Sequence, residues 1–291
     1  MIHSFTPSLF KRATALLGAL TLATTMAIAK PGGGGPDCSD LPSHAELTAA
    51  LKASVAPGTG PSNGGFDLHM WATVVNRDGQ VCAVTFSGDD RGDQWLGSRI
   101  ISAQKANTAN AFSLPDTAPI AGLSLSTANL WAATQPGGSL FGLQFSNPVD
   151  PAVAYGGPGN QGNGNGQGQG PGDADDYGTA DDPLVGGFIG GVNVFGGGLA
   201  LYNSDNELVG AIGVSGDTSC ADHNIAWRTR NALALDYVLF GVSGDATRPD
   251  NINYVGIAPV PSLANDFSHP VCAIAGVDGV SGISAALPTV P

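Results

Sequence analysis

From Phe66 to Asn76 apolar side chains recur at every second position. Leu68, Met70, Ala72 and Val74 share one face of an extended chain, and His69, Trp71, Thr73 and Val75 share the other. A second β-branched and aromatic run, Gln80–Phe86, follows across the short turn Arg77-Asp78-Gly79. The pair predicts a β-hairpin. Helical spacing flanks it. Ser43–Val55 opens with Ser43 and Glu46 at capping-box separation and puts Leu47 and Leu51 on one face, before Pro57 stops it. Ser98 opens a second helix, SRIISAQKANTANAF, whose Ile101, Ala106 and Ala109 let it lie close against a sheet; Lys105 is the cation in its middle, by default a surface lysine. Ser126–Thr134 reads as a short helix and Phe141–Ser146 as an extended piece.

Phe188–Phe195 and Leu199–Tyr202 read as strands, and they lead into the stretch Glu207–Ala226. There Leu208, Val209, Ala211, Ile212 and Val214 form a short apolar run bracketed by Gly213 and Gly216, and Asp217 or Thr218 caps a helix running to about Leu239. A strand delivered onto a helix start aims several backbone N–H groups at one spot, which suits a carboxylate or phosphate. The junction is also common as plain architecture. These elements predict an α+β domain with a mostly antiparallel sheet.

The segments between them are different in kind. Lys11 and Arg12 precede an apolar, small-residue run, Ala13–Ala29, ending in Ala27-Ile28-Ala29, which is the pattern of a cleaved export signal. Residues 30–42 form a Gly/Pro linker, and residues 156–183 a Gly/Asn/Gln-rich and then acidic insertion, expected to be a disordered, solvated spacer. Residues 241–291 form a Pro- and Gly-rich extension with strand-like pieces at Tyr254–Ile257 and Val271–Ala275. The domain proper is therefore expected at 43–240.

Charge and cysteines narrow the setting. The net charge of −13 argues against nucleic acid, whose phosphates require Lys and Arg, and against anionic membrane surfaces. No later stretch is long enough for stable membrane insertion. Four widely spaced cysteines without a C-x-x-C pair point to two disulfides in an oxidising compartment, so the chain is expected to be exported, periplasmic or extracellular. Three pairings exist. Cys38 and Cys272 lie in the terminal extensions, Cys82 and Cys220 in core elements, which favours Cys38–Cys82 and Cys220–Cys272.

Chemistry-bearing motifs are sparse. There is no G-x-S-x-G, H-E-x-x-H, Walker loop or dinucleotide fingerprint, and the five histidines are scattered. Asp89, Asp90 and Asp93 share a loop but lack the oxygen ladder of a calcium loop, so a solvated loop is the simpler reading.

Five segments in register go further: WATVVNRDGQVCAVTFSGD, SRIISAQKANTANAFSLP, QPGGSLFGLQFSN, GGVNVFGG and LVGAIGVSGDTSCADHNIA. In order and spacing they resemble the GlcG/HbpS family of haem-degrading and haem-binding domains, over roughly Glu46–Leu235. The resemblance implies a profilin-like antiparallel sheet of about five strands, frequent homo-oligomers, and haem or a related tetrapyrrole as ligand, scavenged, sensed or oxidatively degraded. This chain departs from the family pattern at Asn193, where proline is usual, and at Asp222-His223, where the usual acid after the aspartate is a histidine. Haem needs an apolar slot, an axial ligand and partners for its propionates. His223 is then the leading iron ligand and His69 the second, with Lys105 and the N–H groups of Gly216 and Asp217 for the propionates and Thr108 as a weak oxygen ligand. Two other classes stay open: an enzyme that degrades haem or processes a small organic acid, and a secreted interaction module that has lost its ligand.

Overall fold

The computed structural model describes residues 37–55, 63–156, 173–254, 266–272 and 282–291, all within one compact unit, Pro36–Pro291. The expected export signal, most of the linker, the glycine-rich part of the insertion and most of the strand-like pieces after Tyr254 lie outside these residues.

The hairpin forms as β1 (Trp71–Asn76) and β2 (Val81–Phe86), and β4 (Gly198–Tyr202) and β5 (Leu208–Ser215) complete a four-stranded antiparallel sheet in the order β2-β1-β5-β4. β1 pairs with β5 from Trp71↔Ser215 to Asn76↔Gly210, so the junction strand runs through the middle of the sheet. Both faces are covered, which is why every residue of β1 is buried. On one side Met70, Ala72, Val74, Leu201, Ile212 and Val214 pack against α1 (His44–Val55) and α6 (Ser219–Ala232) through Leu47, Leu51, Ile225 and Trp227. On the other, Trp71, Val75, Val84 and Ala211 meet Ile100, Ala103, Ala106 and Ala109 of α2 (Ser98–Phe112). The two-residue alternation read from β1 is thus a three-layer sandwich, helices–sheet–helix.

The alanine face of α2 has a consequence at Gly213. A Cβ there would sit 1.9 Å from the Ser102 carbonyl oxygen and 2.5 Å from the Ala106 nitrogen. Gly213→Ala must push α2 off the sheet, and a loss of about 1–3 kcal/mol is expected in urea unfolding; an unchanged midpoint would contradict this close approach.

Several expectations change. Phe141–Ser146 is not extended: α4 (Leu143–Ser146) occupies its end, after the short helix α3 (Trp131–Thr134) and before α5 (Pro151–Tyr155). Phe188–Phe195 is not a strand, because Gly190 and Gly191 take φ of 61° and 78° and leave isolated bridges, Gln80↔Phe188 and Val149↔Gly190. The main sheet therefore has four strands, not about five; a separate parallel pair joins β3 (Leu123–Ser124) to β6 (Phe240–Gly241). α6 stops at Ala232, and Ala234, with φ 53°, turns the chain away.

The acidic end of the insertion is not a solvated spacer. Arg99 of α2 is buried, and Asp182 supplies its counter-charge, accepting a bond from Nε at 2.9 Å and a second from Nη2. Asp182 also accepts the N–H groups of Gly178 and Leu184, while the Tyr177 ring covers the guanidinium at 3.8 Å. A buried guanidinium without a carboxylate is costly, so this segment folds.

Disulfides Cys38–Cys82 and Cys220–Cys272 tie the N-terminal segment to β2 and the C-terminal segment to α6. The described parts of 241–291 pack onto α6: Trp227 donates to the Pro288 carbonyl at 2.9 Å, and Leu287 enters the core.

Candidate functional site

The β5–α6 junction is built as a receptor for a carboxylate, and the chain supplies that carboxylate itself. Thr218 caps α6, its hydroxyl accepting the Ala221 N–H. The Asp217 N–H donates to Asp222 Oδ1 at 2.8 Å, and Lys105 Nζ reaches Asp222 Oδ2 at 2.6 Å. Lys105 also donates to the Val214 carbonyl at 3.0 Å and lies 4.2 Å over the Phe195 ring. Both charged side chains are fully buried. Burial pushes the Asp222 carboxyl up to about 6 against the pull of Lys105, and burial lowers the Lys105 ammonium against the pull of Asp222. Gly197, at φ 114°, leaves room for the pair: a Cβ would lie 3.1 Å from Lys105 Nζ and 2.1 Å from the Val214 carbonyl.

These contacts reassign the expected propionate partners. Lys105 is neither a surface lysine nor a free cation. Asp217 spends its N–H on Asp222 and its carboxylate on the Phe66 and Leu68 N–H groups, at 2.8 and 3.2 Å. Gly216 is a tight-turn residue; a Cβ there would meet the His69 carbonyl at 2.6 Å. The Thr108 hydroxyl donates to the Gln104 carbonyl and accepts the Asn193 N–H at 2.9 Å. Proline has no N–H, so the departure at Asn193 creates this bond.

His223, one position after Asp222, is 0% exposed, and among the described residues neither ring nitrogen makes a well-formed hydrogen bond. Burial pushes its pKa down to about 3, with Arg230 and His269 lowering it further and Asp250 and the Asn251 side chain opposing them. The ring lies 6.0 Å from that of Trp227. It is a neutral imidazole at physiological pH. His69 is different: partly exposed, with Nδ1 at 3.0 Å from the Ser87 hydroxyl. The structure therefore brings Lys105 and Asp217 onto Asp222, with His223 next in sequence, places Gly216 against His69 and Met70, and leaves Thr108 and His69 in separate bonds.

The Asp89–Asp93 loop binds its own backbone. Asp93 accepts the N–H groups of Asp89 and Asp90, and Asp90 accepts that of Gly92. Cys220, His269 and Cys272 place ligand-type atoms within 4.8 Å of one another, but the two sulfurs are joined to each other rather than free as thiolates. An apolar cleft of about 230 Å³ between Trp71, Leu96, Ile100, Tyr155 and Tyr177 borders none of the Asp222 group.

Sequence reasoning passed over two features. Asp222 was legible only as the surviving aspartate of an acidic helix start, while its partner Lys105 sits 117 residues earlier. His269 carried no local signal, since what places it is the Cys220–Cys272 bridge.

Among solved structures the chain resembles a PduOC–haem complex at 20% identity, covering 65% of this chain and 89% of that one with a TM-score of 0.39. It also resembles Klebsiella pneumoniae protein ORFY, of the DUF336 family, at 20% identity, with 66% and 89% covered and a TM-score of 0.39. No curated protein sequence matches it. The sequence pattern described as haem-degrading protein HbpS-like matches residues 62–230, more than half of the 291. The chain therefore belongs to the HbpS-like family.

Proposed function

We propose that this is an exported haem-binding protein in which His223 would hold the haem iron. The observation that carries the reading is a fully buried imidazole whose nitrogens make no well-formed hydrogen bond among the described residues, on α6 of an HbpS-like domain. A buried donor without a partner costs free energy, and a metal bond would satisfy one nitrogen. Burial has already made the ring neutral, the form that ligates iron. The donor chemistry of His223 thus fits haem. That of Lys105 does not fit a propionate, because Asp222 and the Val214 carbonyl already occupy the ammonium.

Haem iron, once held, supplies redox chemistry that no side chain here has. The protein's part is to hold it and to control access. His223 has no exposed surface; Asp250, Asn251 and His269 of the C-terminal segment act on its ring, and the Asp250–Arg230 pair and the Cys220–Cys272 bond hold that segment to its helix. Binding through His223 requires this C-terminal cover to move. The two disulfides support an oxidising compartment, hence export. Among the described residues no helix is long and apolar enough to cross a membrane.

Haemin titration followed by Soret absorbance tests the reading. A saturable, shifted band is expected in the wild type and in His69→Ala, with the band lost in His223→Ala. A wild-type spectrum identical to free haemin, or loss only in His69→Ala, would overturn it.

A further inference from the structure

Ser219 and His269 take no part in the haem reading, and they stand in the relation of a nucleophile to its base. Ser219 is the first residue of α6 and is partly exposed, and its Oγ lies 2.7 Å from His269 Nε2. His269 Nδ1 lies 2.6 Å from the Pro270 carbonyl oxygen. A carbonyl oxygen only accepts, so Nδ1 carries the proton, Nε2 is left as an acceptor, and the serine hydroxyl donates to it. That is the tautomer a general base requires, with a backbone carbonyl in the orienting place a carboxylate takes in a Ser-His-Asp triad. The Gly196 N–H donates to Oγ at 2.7 Å and sets the serine rotamer.

The surroundings fit this role. His269 is 4% exposed, its ring lies 6.1 Å from that of Trp131, and burial lowers its pKa, so the imidazole is neutral at physiological pH. The N–H groups of Ser219 and Cys220 open a 14-residue helix and take no hydrogen-bond partner among the described residues, leaving donors for a developing oxyanion beside Oγ. Cys220 adjoins Ser219, and Cys272 is three residues beyond His269, so their disulfide holds both halves of the pair together.

We propose that Ser219 and His269 form a nucleophile–base dyad that accepts the acyl group of a small activated ester. Oγ bonds to the ester carbonyl carbon as its proton passes to Nε2. The carbon–oxygen bond to the alcohol breaks, and the alkoxide takes the proton from Nε2. Water, deprotonated by Nε2, then attacks the acyl-serine and releases the carboxylic acid, returning the proton to Oγ.

The test uses the oxidised full-length protein and p-nitrophenyl acetate. A burst of p-nitrophenolate is expected, with a single acetyl group located on Ser219 by peptide mass spectrometry. His269→Gln should slow acylation by about 10²–10⁴-fold, and Ser219→Ala should abolish the burst in a protein that still unfolds cooperatively. Reducing the disulfide with a dithiol should remove the labelling. No acetyl-Ser219 in the wild type, or equal labelling in folded His269→Gln, would overturn the proposal and leave the pair as a tether for the C-terminal segment.

Discussion

Alanine at Asp250 is expected to lower the unfolding free energy by about 3–5 kcal/mol, because it leaves a guanidinium in the interior without its counter-charge. Asp250 is fully buried and accepts bonds from Arg230 Nη1 and Nη2, at 2.6 and 2.8 Å, and from the Ser124 hydroxyl at 2.6 Å. Burial alone would raise its carboxyl, but the Arg230 charge and these bonds together hold it below the ordinary value. Arg230 keeps a bond to the Ala200 carbonyl and lies 4.6 Å over the Trp227 ring, so it cannot turn to solvent when the carboxylate is removed. Asp250 also lies beyond the family-matched residues, so the loss measures how far the C-terminal segment belongs to the core. Asp245→Ala is the control: Asp245 is exposed, and its removal leaves Arg248 bonded to the Leu287 carbonyl, so the pair is worth at most about 1 kcal/mol. Equal losses in urea for the two variants would contradict this ranking.

The second large effect concerns acid. His223 titrates near 3 in the folded protein because burial opposes the charged ring, and near 6.5 when unfolded. Between those values the unfolded chain holds the additional proton, so the His223 contribution to stability is present above about 6.5 and is lost as pH falls toward 3. By pH 4.5 the loss from this group is about 2–3 kcal/mol. Asp222 acts with the opposite sign. Its folded carboxyl, raised to about 6, takes up a proton before the unfolded one does, so its contribution grows as pH falls from 6 toward 4. The wild-type profile alone therefore mixes the two. The difference between wild type and His223→Leu isolates the histidine and should shift by about 2–3 kcal/mol in urea unfolding between pH 7.5 and 4.5. Parallel profiles for the two proteins would show that His223 carries no such burden.

Local signals made much of the scaffold legible. The Ser43/Glu46 capping box, the alternation through β1 and the glycine-bracketed run of β5 are each decided within a few residues, and each forms the expected element. Where local pattern and tertiary demand diverged, the latter won. The apolar run at 188–195 has strand composition, but Gly190 and Gly191 turn it aside. Asp182 sits in low-complexity surroundings, and only the buried Arg99, 83 residues earlier, explains why it folds. The site was legible in residue type more than in role. Lys105 and Asp217 do converge, but on Asp222, because a buried ammonium requires a counter-charge and the chain holds a carboxylate within reach.

The account rests on His223 as the iron ligand behind a tethered C-terminal cover, and stopped-flow Soret absorbance tests that most directly. Haemin would be mixed with the oxidised wild type, with the Cys220→Ser, Cys272→Ser double variant, and with His223→Ala. Faster uptake in the double variant is predicted, reaching the same final band as the wild type, with that band absent in His223→Ala. Uptake at equal rates with and without the disulfide, or a shifted band that survives in His223→Ala, would contradict it.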